Sequence, residues 1–260
     1  MDLQIKGKWA LVCGASRGLG LGCAEALVRE GVHVLIVARR EAVLSEAAQA
    51  LRALGGAQVL ACAADITTEA GRAQVFALRK DFDIVVTNAG GPPSGNFRDW
   101  GREDWIRAVE ANMLTPIELI KATVDGMAAR GFGRIINITS GAVKSPIEAL
   151  GLSNGARSGL TGFVAGLARS GIAAQGVTVN NLLPGAFDTD RLQSLFSSTA
   201  GKTSQTVDAV AAQRRKSIPA QRFGQPQEFG AACAFLCSPL AGYITGQNIL
   251  VDGGAFGGTF

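Results

Sequence analysis

Short apolar, β-branched runs alternate with helix-patterned stretches almost from the first residue. This alternation restricts the fold more than anything else in the chain. Residues 9–13, 33–38, 58–63, 83–87, 134–139, 177–183 and 247–251 read as strands, and 19–30, 41–54, 68–80, 102–129 and 150–175 as helices. Strict alternation implies a parallel sheet covered by helices on both faces. Right-handed crossovers then select a doubly wound, Rossmann-type α/β sheet of seven strands. With 260 residues, no internal repeat and no linker, a single domain over 1–260 is expected. The one departure is 188–216, a Ser/Thr/Gln/Lys-rich stretch. It reads either as a helical flap over the carboxyl ends of the strands or as a plain surface excursion.

The first strand runs into Gly14-Ala15-Ser16-Arg17-Gly18-Leu19-Gly20, which opens the first helix. Three glycines at a strand-to-helix turn let backbone approach a pyrophosphate, and the helix start offers free N–H groups. The motif is weak alone in a chain with 34 glycines; its placement makes it strong. An acidic residue about 20 positions past the glycines would bind the ribose 2′-hydroxyl of NAD, whereas arginine there suits the 2′-phosphate of NADP. Arg39 and Arg40 hold that place, and Arg17 adds a cation in the turn, with no acidic competitor evident. The expected cofactor is therefore NADP(H).

Other function classes find little support. The formal charge of +4 is small and scattered, without Lys/Arg runs or interleaved aromatics for nucleic acid. No apolar run reaches the ~18 residues of a membrane span, and the first residues lack a signal-peptide core. Five cysteines without paired spacing read as reduced thiols and a cytoplasmic location. One histidine, His33, and no Cys-x-x-Cys leave no metal site.

From about Gly7 to Gly254 the chain resembles the short-chain dehydrogenase/reductase family, especially its 3-oxoacyl-carrier-protein reductase-like members. The resemblance rests on Gly14–Gly20, Asp65-Ile66, Asn88-Ala89-Gly90, Asn112, Ile138-Thr139-Ser140, Pro184-Gly185 with Thr189, Ile218–Gly224, Ile244–Gln247 and Val251–Gly254. It implies that Gly14, Ser16, Arg17, Gly18, Leu19, Gly20, Asp65, Ile66, Asn88, Ala89, Gly90, Pro184, Gly185 and Thr189 surround the cofactor, with Asp65-Ile66 on its adenine side. It also implies a tetramer, with helices 102–129 and 150–175 against symmetry mates and Gly159, Gly162 and Gly166 permitting close approach.

The family's catalytic signature is a serine followed by Tyr-x-x-x-Lys. Ser140 fits the serine, but the tyrosine place holds Ser153 and the lysine place Arg157. No shift of alignment restores the motif: the one tyrosine is Tyr243, and no lysine lies between Lys144 and Lys202. A tyrosine near pKa ~10 can be tuned into a proton donor, whereas serine is a far poorer acid and arginine keeps its proton. A positioned acid is worth roughly 10²–10⁴ in rate, while alignment of hydride donor and acceptor supplies up to ~10⁵–10⁸ M effective molarity and survives the change. Some members resembling this chain carry a Val-Lys-x-Pro loop with Leu-Ser-Asn in place of the tyrosine motif, here Val143-Lys144-Ser145-Pro146 and Leu152-Ser153-Asn154.

Lys144 reads as a substitute proton donor, its pKa lowered near Arg157 and oxidised nicotinamide, or as an exposed loop lysine. Asn112 reads as the holder of a relay water or as a bridge across a helix kink. Phe97, Trp100 and Trp105 either anchor the Gly90-Gly91-Pro92-Pro93 loop or wall a substrate cleft. Arg214-Arg215-Lys216 is a solvated helix face or a dock for an acidic carrier protein. The expected function is hydride transfer between NADP(H) and a small carbonyl or secondary alcohol. The alternatives are a dinucleotide-binding module without turnover, as sensor or partner subunit, and a lyase or isomerase in the same pocket.

Overall fold

Successive residues of a strand face opposite sides, so a strand that is apolar throughout must be covered twice. The computed structural model shows this arrangement. It describes residues 1–259, with Lys202 by its backbone alone; Phe260, the last residue of the expected domain, lies outside the described residues. Seven parallel strands, β1 (Trp9–Cys13), β2 (His33–Ala38), β3 (Val59–Ala63), β4 (Ile84–Thr87), β5 (Gly133–Ile138), β6 (Val177–Pro184) and β7 (Asn248–Val251), lie in the order β3-β2-β1-β4-β5-β6-β7.

Ala10 and Val12 of β1, Val34 and Ile36 of β2 and Ile136 of β5 face one helical layer. That layer is α1 (Gly18–Arg29), α2 (Glu41–Ala53) and, through Phe229 and Cys233, a C-terminal helix. Leu11, Leu35, Val85 and Ile135 face the other, built from α3 (Glu69–Leu78), α5 (Thr115–Ala129) and α6 (Gly151–Leu167). The chain leaves β1 toward β3, then returns to place β4 on the other side of β1. The crevice between the carboxyl ends of β1 and β4 is the switch point at which such sheets bind ligands.

Two expectations need correction, and one helix is unexpected. The expected helix over 102–129 is two helices, α4 (Arg102–Val109) and α5, joined by a wide π turn at Glu110–Leu114. The helix expected to reach residue 175 ends at Leu167 and gives way to a short 3-10 turn, Ala173–Gln175, closed by Gly176 at φ +76°. Beyond the flap, α7 (Asp190–Thr203) and α8 (Val207–Lys216), runs a helix for which sequence periodicity gives no warning, α9 (Pro226–Leu236). Its start was nonetheless marked. Pro226 occupies the first turn, and Glu228 reaches back to accept from the Gln225 N–H at 2.8 Å.

The flap carries its own small core of Phe196, Ala211, Ile218 and Phe223. All five cysteines are buried and unpaired by disulfides. Among the described residues no helix is long and apolar enough to cross a membrane.

The two helices α1 and α9 cross at backbone contact. A Cβ on Gly22 would run into the Pro226 carbonyl, and one on Gly230 into the Gly22 carbonyl. Gly230→Val should therefore destabilise the fold by about 1–3 kcal/mol. Gly201→Ala, exposed in α7 with nothing near its Cβ, should instead gain up to ~1 kcal/mol. Urea midpoints at one protein concentration check both; a wild-type midpoint for Gly230→Val would show that the crossing is not close.

Candidate functional site

The cofactor half of the site grows out of the turn after β1. Gly14 and Gly18 both take φ +59°, a left-handed backbone that side chains resist. A Cβ on Gly20 would collide with the Gly14 carbonyl, so the helix start and the turn touch backbone to backbone. At the α1 N-cap, Arg17, no side chain caps the helix, and its first turn has no acidic residue. Its leading N–H groups thus remain available to a ligand, and the helix dipole favours an anion there. Ser16 and Leu19 flank the same turn, half-buried. Asn88, just past β4, donates from Nδ2 to the Gly14 carbonyl at 3.4 Å and joins the two strand ends of the crevice. Ala89 and Gly90 continue the chain along its rim.

Arg39 and Arg40 follow β2 and are exposed, with no ion pair on either among the described residues. Arg17 differs. It pairs with Asp190 of the flap at 2.6 Å, both side chains largely exposed. The expectation that all three arginines lack an acidic competitor is therefore wrong for Arg17. The acid comes from a segment more than a hundred residues away, so no local pattern announces it. Asp65, after β3, accepts from the Thr67 N–H and hydroxyl at 3.0 and 2.7 Å, which fixes its carboxylate at the turn. The Ile66 side chain is turned into the core.

The chemical half collects around the end of β5 and α6. Ser140 follows β5, and its Oγ accepts from the Ala142 N–H at 3.1 Å. Ser153 and Arg157 lie one turn apart on α6, each 7% exposed. Arg157 Nη1 donates to the Ile138 carbonyl at 2.8 Å and to that of Thr139, whereas its buried Nε has no partner among the described residues. Burial, together with the nearby charge of Arg191, pushes this guanidinium down to about 10, still a cation at neutral pH.

Lys144 ends the short helical turn after Ser140. It is half-buried, with Nζ over the Phe256 ring at 5.7 Å. The tail that carries Phe256 is fastened by Asp252, which accepts from the Gly254 and Phe256 N–H groups, both at 2.9 Å. Asn112 is buried in the π turn. Its Nδ2 donates to the carbonyls of Ala108 at 3.3 Å and Gly90 at 3.5 Å, so it bridges the widened helix to the cofactor rim. Tyr243 is fully exposed.

The flap closes the picture. Pro184 ends β6, and Gly185 presses on Asp252 where a Cβ would not fit. Thr189 caps α7 through the Leu192 N–H at 3.4 Å and sits against Gly18. Arg191, which sequence reasoning missed, is an exposed residue whose guanidinium nonetheless presents its Nη1/Nη2 end to Gly91. A Cβ there would stand 2.7 Å from its Cζ. Enough of the head is covered for burial to lower its pKa.

Trp100 and Trp105 pack edge to face at 6.0 Å and rest on Gly151 and Gly155 of α6, which supports their reading as anchors; Phe97 stays exposed. Arg214, Arg215 and Lys216 form an exposed face at the end of α8. Among the described residues no cluster of His, Cys, Asp or Glu is set to hold a metal.

A family model described as "Enoyl-(Acyl carrier protein) reductase" matches residues 14–255. The 3-oxoacyl-acyl-carrier-protein reductase of Vibrio cholerae is 35% identical over 259 residues, 98% of this chain and 99% of that protein. L-sorbose reductase from Gluconobacter frateurii, solved with NADPH and L-sorbose, superposes with a TM-score of 0.92 at 30% identity, over 99% of this chain and 100% of that one. YwfH, an NADPH-dependent reductase involved in bacilysin biosynthesis, gives 0.91 at 28% identity, over 96% of this chain and 99% of its own. With the phosphate turn, the switch-point crevice and Ser140 in place, these likenesses make the chain an oxidoreductase of the short-chain dehydrogenase/reductase family, built to hold a nicotinamide dinucleotide.

Proposed function

We propose that the chain is an NADP(H)-dependent reductase of a small carbonyl compound, 3-oxoacyl reductase-like, in which Lys144 replaces the missing tyrosine as proton donor. The reverse oxidation of a secondary alcohol uses the same groups. The observation that carries this reading is the grouping of Ser140, Lys144, Ser153 and Arg157 around the end of β5, while the one tyrosine stands fully exposed elsewhere. When bound, the reduced nicotinamide supplies a hydride. Ser140 holds the substrate oxygen by a hydrogen bond, and Lys144 Nζ gives that oxygen its proton. Being half-buried, Lys144 regains a proton from solvent. Arg157 orients the cofactor ribose and keeps the site positive; Asn112 steadies the rim through Gly90.

On this reading Gly14–Gly20 and the open start of α1 hold the pyrophosphate, and Asp65 with Ile66 borders the adenine. Asn88-Ala89-Gly90, Pro184, Gly185 and Thr189 line the remainder, and Asp188 to Lys216 serves as a substrate flap on a single domain in the cytoplasm. A second reading, a binding module without useful turnover, gains support from Arg157, whose Nη1 is spent on strand carbonyls.

NADPH should bind more tightly than NADH, because Arg39 and Arg40 stand open to a 2′-phosphate; titration calorimetry with both cofactors checks this. Arg39→Asp should reverse the order at a cost of about 1.5–3 kcal/mol per lost charge-assisted bond. Equal affinities in the wild type would defeat the assignment.

Lys144→Met should lower kcat by about 10² or more with cofactor affinity little changed, the pattern of a lost transition-state interaction. Ser153→Ala should be milder. Steady-state kinetics over a panel of carbonyls measures both. Wild-type kcat in Lys144→Met would remove the donor role, and cofactor binding without turnover in the wild type would favour the module.

A tetramer is also proposed. Ile106 and Leu114 are exposed at 40% and 44% along the helices that would meet a symmetry mate. Gly162 and Gly166 have open space beyond their Cβ positions. Gly159 does not belong to that face, since its Cβ would meet Met113 Sδ of the same chain at 2.8 Å. Light scattering at micromolar concentration should give four times the chain mass, and a monomer mass would refute it.

A further inference from the structure

The acidic and basic groups at the flap's entrance do not balance. Asp188 is engaged by Gln193 Nε2 at 3.1 Å and Asp190 by Arg17 at 2.6 Å. Both acids nearest Arg191 in sequence are therefore engaged by other partners. Consecutive residues diverge here: Asp190 points to the phosphate turn, and Arg191 to Gly91 on the loop after β4. That loop is tied through the Gly90 carbonyl to Asn112, in the π turn that packs on α6, and α6 carries Arg157. The charge of Arg191 helps lower the Arg157 pKa. Among the described residues no carboxylate pairs with either guanidinium, and the buried Nε of Arg157 has no acceptor at all. Two like charges near each other repel, and an unpartnered buried donor is costly. An anion entering between them would relieve both penalties. A planar carboxylate matches the paired donors of a guanidinium.

The geometry points to a substrate that carries its own carboxylate beside the reacting carbonyl, an oxo acid rather than a neutral ketone or thioester, with Arg191 as the residue that selects it. The inference rests on the reductase reading above and narrows its substrate class. An anionic oxygen at Arg191 has one other available source, the pyrophosphate of the cofactor. The divergence of Asp190 and Arg191 favours the substrate.

The test compares acetoacetate with methyl acetoacetate, which share a carbon skeleton and differ in charge. The NADPH-loaded wild type should prefer the acid by about tenfold or more in kcat/KM, the size expected of one charge-assisted contact. Arg191→Leu should abolish the preference through KM, and Arg191→Lys should keep part of it, having charge without the fork. Equal use of acid and ester by the wild type would overturn the inference and leave the reductase reading standing. So would an unchanged preference in Arg191→Leu, or a loss of NADPH affinity there without a change in preference, which would assign Arg191 to the pyrophosphate. If neither compound is reduced, calorimetric titration of acetoacetate into NADP⁺-saturated protein decides. Binding to the wild type but not to Arg191→Leu upholds the anion site while the reductase reading falls, and binding to neither overturns the site.

Discussion

A chain of side-chain hydrogen bonds through the middle of the sheet fixes where everything else stands. Thr87 Oγ1 donates to Asn137 Oδ1 at 2.7 Å, Asn137 Nδ2 to Asn181 Oδ1 at 3.1 Å, and Asn181 Nδ2 to Asn248 Oδ1 at 2.8 Å. The four residues are also backbone partners across β4, β5, β6 and β7. Asn137 and Asn181 are wholly buried, where an unpaired amide would cost a few kcal/mol, about 1–3 on mutational scales. A slip of one residue in any of these strands would break the chain of bonds and turn every apolar side chain to the wrong layer. The ladder thereby sets the heights of the strand ends, and the residues of the candidate site follow directly: Asn88 after Thr87, Ser140 after β5, and Pro184 and Gly185 at the end of β6.

On that fixed edge sits a segment whose hold is lighter. The flap touches the rest of the site through Arg17–Asp190, through Thr189 against Gly18, and through Arg191 against Gly91. The first is a salt bridge between largely exposed side chains and contributes little to stability, roughly 0–1 kcal/mol. Its consequence is positional. On the proposed reading a phosphate arriving at the turn would compete with Asp190 for Arg17, so that cofactor binding and flap position would draw on the same guanidinium. Phosphate turn, flap entrance and the Gly91 loop thus form one electrostatic unit, although they come from distant parts of the sequence.

The legible features were those in which one residue type serves one local need. Alternating apolar runs gave the seven strands, and Gly14, Gly18 and Gly20 marked the turn because only glycine fits φ +59° and the contact with the Gly14 carbonyl. The absence of tyrosine at residue 153 was readable letter by letter. What was not legible depends on distant partners. Asp190 and Arg191 belong to a polar stretch without periodicity, and only the folded flap shows that one faces Arg17 and the other Gly91. Helical patterning runs through the break at Asn112 as one helix; only one reading of Asn112, as a bridge across a helix kink, points to it. The ladder left a trace that went unused: asparagines inside apolar strands, Ile136-Asn137-Ile138 and Asn180-Asn181-Leu182, call for buried partners.

The substitution of the tyrosine pair changes what the site contributes more than how much. A tyrosine with a lysine behind it supplies a proton through an acid tuned by charge. Here the charge has moved. Arg157 puts a permanent cation where the lysine stood, Arg191 adds another from the flap, and Lys144 sits on the turn after β5 with its Nζ over the Phe256 ring. On the proposed reading, negative charge developing on a substrate oxygen would meet these cations and the Ser140 hydroxyl. Preorganised charge of that kind stabilises an oxyanion without any proton moving, by about 2.7–4 kcal/mol for a single well-placed donor. That is comparable with the roughly 10²–10⁴ in rate that a general acid supplies. A cationic pocket can therefore carry the early part of the reaction and leave the proton to follow from a weaker donor. An anionic substrate, as inferred above, would be the counterpart of that positive charge.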